Sequence, residues 1–591
     1  MFLRATKRFK DGKEHRYWNI VENRRCRGNR IVQKQVLYLG EINDSQHASW
    51  CKCIKVLNDE ADRAEQVAIF PEDREAPALE HDVVQVKLSE LSINRARQWG
   101  ACWLAAELWN QLALDTFWQE RLTTSRQGTR WLNVFKTLVS YRLIDPGSEW
   151  RLHRQWFDQS AMADLLGEDF SIAQKDKLYR CLDKLVEHKR AFFSFLQQRW
   201  KTLFDARFEV LLYDLTSTYF ESEVPEEDGL RRFGYSRDKR PDCVQVVIAL
   251  IVTPEGLPLA YEVMPGNTCD KTTLEDFLKR IEEQYGKSER VWVMDRGIPT
   301  EKTLQTMRQS DPPVFYLVGT PRGRLTKLET AFLNQPWAEA RDRVEVKLLE
   351  KDDELYILAK SAGRVDKERA MRQRKLKRLW KRLHELQRQK LTRDQLLIKL
   401  GAAKKEAGKV YALVDITYPA DNADLKTHGF QFSLRKDQLR KVRQREGRYL
   451  LRSNLAKQNP ADLWNYYIQL TEVEQAFKEL KSDLSIRPIY HQRDHRIEAH
   501  IFVAFVAYCL QVTLKYRTRA LAPGLTPRAV LEKFAAIQMV DVHIPTTDGR
   551  CLVLPRYTQP EKELQLLLKQ LDLTLPDQPP PKIKSRAELT A

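Results

Sequence analysis

The sequence predicts a multidomain α/β protein whose core is a mixed sheet flanked by helices and interrupted by a β-rich insertion. Three observations predict it. The chain has 591 residues, too many for one hydrophobic core, so several domains are expected. Short apolar runs bounded by turn signals alternate with helical periodicity between residues 206 and 320. A strongly basic stretch of strand and helix patterns, residues 321–455, then breaks that order before helical patterns resume at 456–520.

Charge narrows the class of partner. The formal net charge of +18 favours a polyanion, nucleic acid or an anionic membrane. The longest apolar run, residues 501–512, is shorter than the ~20 residues of a spanning helix. With His500, Gln511 and Lys515 in and around it, the run suits a buried helix, and no membrane partner is expected. Met1-Phe2-Leu3-Arg4 lacks the apolar stretch of a signal peptide, so the expected location is the cytoplasm. Nine scattered cysteines, of which only Cys51 and Cys53 are close, read as reduced structural thiols rather than a zinc site.

The first 40 residues carry eleven Lys/Arg against three Asp/Glu. Runs 17–21 and 31–39 flank an Arg-Gly-Asn-Arg turn, so residues 1–80 read as a basic N-terminal β-hairpin module suited to DNA, ending in a Pro/Glu-rich linker at 70–82. Residues 85–205 read as an all-α domain, also a DNA-binding candidate. Trp103, Leu104, Leu108 and Leu112 recur at helical spacing there, as do Leu178, Cys181, Leu182 and Leu185. Residues 206–320 hold an apolar strand at 208–212, ending at Tyr213-Asp214. Two more strands follow, 244–252 and 257–263, joined by a Thr-Pro-Glu-Gly turn. A helix at 271–285, a strand at 291–294 ending at Asp295, another helix and a strand at 314–318 complete the run. Three antiparallel strands followed by alternating helix and strand is the ribonuclease-H order.

In the insertion, 344–349 and 355–359 read as a hairpin, with further strands at 410–417, 430–434 and 449–451. Residues 367–409 carry sixteen Lys/Arg against four Asp/Glu. Leu376, Leu379, Leu383 and Leu386 give that piece one apolar face, and Thr392-Arg-Asp-Gln395 is a capping-box pattern. It reads as a helical hairpin able to touch DNA. The core resumes in 456–520 with a long helix, 463–480, and the buried helix at Ile501. Residues 521–591 form a C-terminal extension whose tail, from Asp577, is expected to be disordered.

Among 81 acidic residues, Asp214 and Asp295 stand apart because each directly follows an apolar strand. Open α/β sheets place their ligands at that edge. Glu474 lies on a late helix that can pack beside it. Phosphodiester cleavage by two Mg²⁺ ions, for which Mn²⁺ can substitute, needs hard oxygen ligands on rigid elements, with the ions roughly 3.5–4 Å apart. Asp238 and Asp242 read as turn and ion-pair residues. His491, His495 and His500 fit no zinc spacing and read as structural.

With these residues on the page, the chain resembles the DDE transposases of bacterial insertion sequences, in the subgroup marked by Y-x2-R-x3-E-x6-K. Tyr467, Glu474 and Lys481 fall at the motif's spacings. DLTSTYFE at 214–221, GYSRDKRPD at 234–242, PGNTCD at 265–270, DRG at 295–297 and LKSDLSIRPIYH at 480–491 look like one branch of that group. So do the N-terminal hairpin and LYRCLDKL at 178–185, and the resemblance covers most of the chain. It implies a ribonuclease-H-like catalytic core with a β insertion, and Asp214, Asp295 and Glu474 as metal ligands. It also implies cut-and-paste movement of an insertion sequence by an endonuclease that transfers strands. The partners would be double-stranded DNA, as terminal inverted repeats and target, and a second copy in a synaptic homodimer near a bacterial nucleoid.

Tyr467 and Lys481 would hold phosphates at the transposon end, sharing a helix face with Glu474 if the helix runs unbroken. In that subgroup the released 3′-OH attacks the opposite strand and leaves a hairpin. One position departs: Leu470 stands where the motif has Arg and cannot contact a phosphate, so either Lys478 or Arg487 substitutes or the handling of the transposon end differs here. The alternatives are another ribonuclease-H-fold nuclease or integrase, which would lack the insertion and the Tyr/Lys pair, and an inactive transposase-derived DNA-binding protein.

Overall fold

A computed structural model describes residues 1–10, 13–26, 30–64, 86–222, 229–268, 290–295, 298–320, 328, 331–332, 335–389, 391–417, 430–455 and 459–584. Its contacts divide the chain into two units. The first comprises Met1–Arg8, Glu14–Ser288 and Thr471–Ala591, and the second Phe9–Lys13 and Glu289–Leu470. The linker expected at 70–82 and the helix expected at 271–285 lie outside the described residues.

The chain opens on a three-stranded sheet, β1 (Phe2–Lys10), β2 (Lys13–Cys26) and β3 (Arg30–Gly40), in that order. The expected hairpin is β2–β3, antiparallel from Trp18↔Gly40 to Cys26↔Arg30. Helix α1 (Asp44–Ala64) follows. The stretch read as uniformly helical begins instead with a strand, β4 (Ser92–Gln98), which pairs with a strand near the C-terminus. Its sequence SINRARQ holds only two apolar residues, Ile93 and Ala96, three apart, so periodicity does not mark a strand there and the pairing with that distant partner fixes it.

Helices then dominate: α2 (Gly100–Gln111), α3 (Trp131–Ile144), α4 (Lys175–Leu182) and α5 (Lys189–Phe204). Beyond them lie three antiparallel strands, β5 (Val210–Tyr219), β6 (Gln245–Val252) and β7 (Pro258–Pro265). The Thr-Pro-Glu-Gly turn closes β6 to β7. Thr253 N–H donates to Leu257 C=O at 2.9 Å, and Gly256 takes φ +89°, which disfavours any side chain. Helix α5 is tied to this sheet by Trp200 Nε1–H donating to Pro258 C=O at 2.8 Å and by Lys189 Nζ on Glu262 at 3.1 Å.

The first strand is longer than expected. It does not end at Asp214 but runs five residues further, pairing with β6 from Leu212↔Val252 to Tyr219↔Gln245. Thr216, Thr218 and Tyr219 are β-formers, and Thr216 and Thr218 are buried, so polarity did not end the strand.

In the second unit, β8 (Val291–Met294) lies parallel to β9 (Phe315–Gly319), with helix α6 (Glu301–Gln309) between them in sequence. The sheet continues through β10 (Ala338–Arg341), β11 (Val344–Lys351), β12 (Glu354–Ser361) and β15 (Arg448–Ser453), in the spatial order β10-β11-β12-β15-β9-β8, so it is mixed. A buried Glu354–Arg452 ion pair, 3.0 Å from Nε to Oε1, joins β12 to β15.

Helices α7 (Ala362–Arg388) and α8 (Arg393–Ala407) form the expected hairpin. Leu379, Leu383 and Leu386 pack against Leu396, Leu400 and Ala403, and the Thr392/Gln395 capping box is present at 3.3 and 3.2 Å. The run expected as a strand at 410–417 is a 3-10 turn, Gly408–Leu413, before β13 (Val414–Thr417), which pairs with β14 (Gln431–Leu434).

The long helix expected at 463–480 is two. Helix α9 (Pro460–Ile468) ends at Gln469, which keeps a right-handed helical backbone and donates its N–H to Asn465 C=O at 3.3 Å, and α10 (Leu470–Ser482) starts at the next residue. The chain returns to the first unit through α10 and then α11 (Asp494–Leu521), whose residues 499–514 are all buried. Phe502 of α11 packs against Trp118, Phe135 and Phe192. By length and composition α11 could span a membrane, yet 94% of its apolar window is buried in the fold. The C-terminal part forms a sheet of β16 (Gln538–Pro545), β17 (Cys551–Tyr557), β18 (Lys582–Lys584) and β4. The tail expected to be disordered from Asp577 therefore carries a strand, held where Lys582 and Lys584 pair with Val553 and Cys551.

Candidate active site

Asp214 sits within β5, half-buried between buried neighbours, and its Oδ1 accepts the N–H of Leu215 at 2.8 Å. Asp295 is exposed at the first position after β8, in the second unit, where Ile298 N–H closes a turn on its carbonyl at 3.3 Å. Glu474 is exposed on α10 in the first unit.

The rest of α10 explains why that acid is available. Val473, Ala476, Phe477 and Leu480 form the buried face. Glu472 and Glu479 turn towards Lys515, at 3.6 and 3.2 Å, and Glu479 also accepts from Gln511 at 3.1 Å. Glu474 has no ion-pair partner among the described residues, so its carboxylate is left for solvent or a ligand.

The residues assigned to phosphate divide. Lys478 is exposed on α10. Lys481 and Arg487 converge on Asp238, with Lys481 Nζ 2.7 Å from Oδ1 and Arg487 paired to the same oxygen. Only 12% of the Lys481 side chain and 6% of Asp238 are exposed. Burial pushes the Lys481 ammonium below its ordinary pKa, against the pull of Asp238. The ion-pair reading of Asp238 holds, and so does that of Asp242, whose carboxyl is drawn down to about 2 by hydrogen bonds from Arg240. The loop that carries them is fastened to β5, since Arg237 N–H donates to Ser217 Oγ at 3.2 Å.

Tyr467 lies on α9 in the second unit, half-buried beside Tyr449 and Trp464, with ring centroids 6.1 and 6.4 Å away. The single helix expected to carry Tyr467, Glu474 and Lys481 is two successive helices, with Tyr467 in the second unit and Glu474 and Lys481 in the first. In the second unit a cavity of about 710 Å³ is lined by Arg364, Lys367, Arg372, Lys375, Lys409 and Arg445, several of them on the basic helical hairpin.

One cluster escaped the sequence. His491 and His500 meet Glu149, with one ligand atom from each residue within 4.8 Å of the others, all three buried. Histidine spacing alone could not show this, because Glu149 comes from a distant helical turn. Arg142 Nη2 lies 3.4 Å from His500 Nδ1 and 3.8 Å from Glu149. A guanidinium already balancing the carboxylate makes the cluster a poor cation site, since a divalent ion would bury two uncompensated charges. Burial, reinforced by Arg142, drives the His500 pKa down to about 4. His495 stands apart, paired with Asp183 at 3.0 Å on the surface.

A family model described as the transposase DDE domain matches residues 207–510. No curated protein matches the chain. Among solved structures, a piggyBac transposase synaptic complex with hairpin DNA is similar at 9% identity and a TM-score of 0.34, over 76% of this chain and 82% of that one.

Proposed function

This chain belongs to the transposase DDE domain family, and on that premise we propose that it cuts and transfers DNA strands at the ends of an insertion sequence by a Mg²⁺-dependent cut-and-paste route. The observation that carries the proposal is the matched span, 207–510, which contains Asp214, Asp295 and Glu474 together. In this reading β5–β7 and the parallel pair β8–β9 supply the strands of a ribonuclease-H-like core.

The donor set fits a hard divalent cation. All three groups are carboxylates, two stand in or at the end of a strand, and Glu474 is unpaired among the described residues. Magnesium held by them would supply an activated hydroxyl and neutralise the leaving oxygen. The chain's own groups do the rest. Arg487, less buried and held by Asp238, offers charge to a backbone phosphate, and exposed Lys478 adds a second cation where Leu470 contributes none, while Lys481 would reach a phosphate only by exchanging its pairing with Asp238. The α7–α8 hairpin and the N-terminal sheet supply sequence-independent attraction to duplex DNA. A synaptic homodimer on inverted repeats, in the cytoplasm of a bacterium, completes the reading.

Incubating the full-length chain and Mg²⁺ with duplexes bearing the inverted repeats that flank its coding region should release ends cut at the repeat boundary. Equal cutting of scrambled repeats, or none of either, would overturn the proposal.

A further inference from the structure

The second unit encloses a chamber between α7 and two short pieces of chain. One face of α7 supplies Arg364, Glu368, Arg372 and Lys375, which recur every three or four residues. Opposite stand the 3-10 turn Gly408–Leu413 and the join between the helix Lys436–Gln444 and β15. That join presses onto α7 at Gly447, which takes φ +69° and where a Cβ would lie 2.3 Å from Val365 Cγ2. Glu368 Oε2 accepts the Gly447 N–H at 3.0 Å, and the buried side chains of Arg372 and Glu446 pair beside it. The cavity of about 710 Å³ between these walls has the size that takes a small organic ligand.

Its lining carries two chemistries. Seven of the lining residues are Lys or Arg and two are Glu. Both acids are matched within the wall, Glu368 by Arg364 at 3.0 Å and Glu446 by Arg372, so positive charge is left over. Lys367, Lys375 and Lys409 are exposed. Arg448 Nε is buried with no hydrogen-bond acceptor among the described residues, a donor that a ligand oxygen would satisfy. The remaining lining is apolar. Val410 and Leu413 are buried, whereas Met371 and Val442 are 48% and 40% exposed, apolar surface left open beside cations.

Duplex DNA presents its phosphates on a convex cylinder and gains nothing from an apolar wall inside a concave chamber. A lone phosphate would use the cations and leave that wall bare. A molecule with a flat, weakly polar ring at one end and several phosphates at the other uses both. We propose that this cavity binds a free nucleoside di- or triphosphate, its base against Met371, Val442 and Leu413 and its phosphates on Lys375, Lys409 and Arg448. Such a site uses none of the three acids and stands or falls apart from DNA cleavage.

The test is calorimetric titration of the full-length protein with ADP, GDP, their nucleosides and inorganic pyrophosphate, in EDTA so that no metal bridges the phosphates. One nucleoside diphosphate should bind per chain, about tenfold or more tighter than its nucleoside or pyrophosphate, each of which lacks one half of the contacts. Lys375→Glu and Lys409→Glu should each weaken it about tenfold or more, the scale of a charge reversal near a protein surface. Met371→Ser should weaken it severalfold. All three side chains are exposed, so these variants should fold. Binding of neither diphosphate, binding no tighter than that of pyrophosphate, or an affinity that survives both lysine variants would overturn the inference. Loss of duplex affinity in the lysine variants, with no nucleotide bound by the wild type, would assign this charge to duplex DNA and overturn it too.

Discussion

At the scale of single residues, the phosphate-binding assignment turns on Asp238. One buried carboxylate oxygen serves both Lys481 and Arg487, so removing it leaves two cations facing each other in a poorly hydrated place. Breaking such a pair from one side costs roughly 3–5 kcal/mol. Asp238→Ala should therefore lose stability on that scale in urea unfolding, whereas Lys481→Met, which leaves the Asp238–Arg487 pair, should lose distinctly less. Equal losses would contradict the arrangement. GYSRDKRPD was legible as a turn with internal ion pairs, because Arg and Asp alternate over a few residues. That Asp238 reaches across to Lys481 was not, since no local pattern encodes a partner 243 positions away. The same limit hid Glu149 behind His491 and His500. The place of Asp295 directly after a strand was legible because Val-Trp-Val-Met is short, wholly apolar and followed at once by the acid.

At the scale of elements, short apolar strands and the α7–α8 hairpin were read closely, and the errors have local causes. Strand β5 was cut short because Leu-Thr-Ser-Thr looks polar, although β-branched side chains pair readily with β6. The division of α9 from α10 was missed because apolar spacing continues through Gln469, whose own backbone stays right-handed helical. The hairpin's cap was visible as Thr392 and Gln395. Thr392→Ala should lower stability by about 1 kcal/mol, and an unchanged unfolding midpoint would contradict the cap. The hairpin's function has its own test. Replacing residues 367–409 with a short loop should flatten the dependence of DNA affinity on salt, because fewer counterions are then released. An unchanged slope would make that basic face a solvated surface only.

At the scale of the whole molecule, the excess of +18 agrees with a chain built to meet a polyanion, and buried ion pairs set its response to acid. The His500 pKa, near 4 in the fold against about 6.5 in an unfolded chain, favours neutral imidazole inside. Its contribution is complete above pH 6.5 and is lost as pH falls towards 4, on the order of 3 kcal/mol in all. Glu149, held well below its usual range despite burial by hydrogen bonds from His491 and His500, loses its share at still lower pH. The melting temperature should fall between pH 6.5 and 5 and stay level from 7 to 8, and a level profile throughout would contradict the buried cluster. The central claim is that Asp214, Asp295 and Glu474 together make the chain a metal-dependent nuclease. The most direct measurement is single-turnover cleavage of terminal-repeat DNA in Mg²⁺ by the Asp214→Ala, Asp295→Ala and Glu474→Ala variants, with DNA affinity measured beside it. The account predicts that each loses about a thousandfold or more in rate, as expected when several kcal/mol of metal assistance disappear, while still binding the repeats. Ordinary cleavage by Asp295→Ala in Mg²⁺ would contradict it.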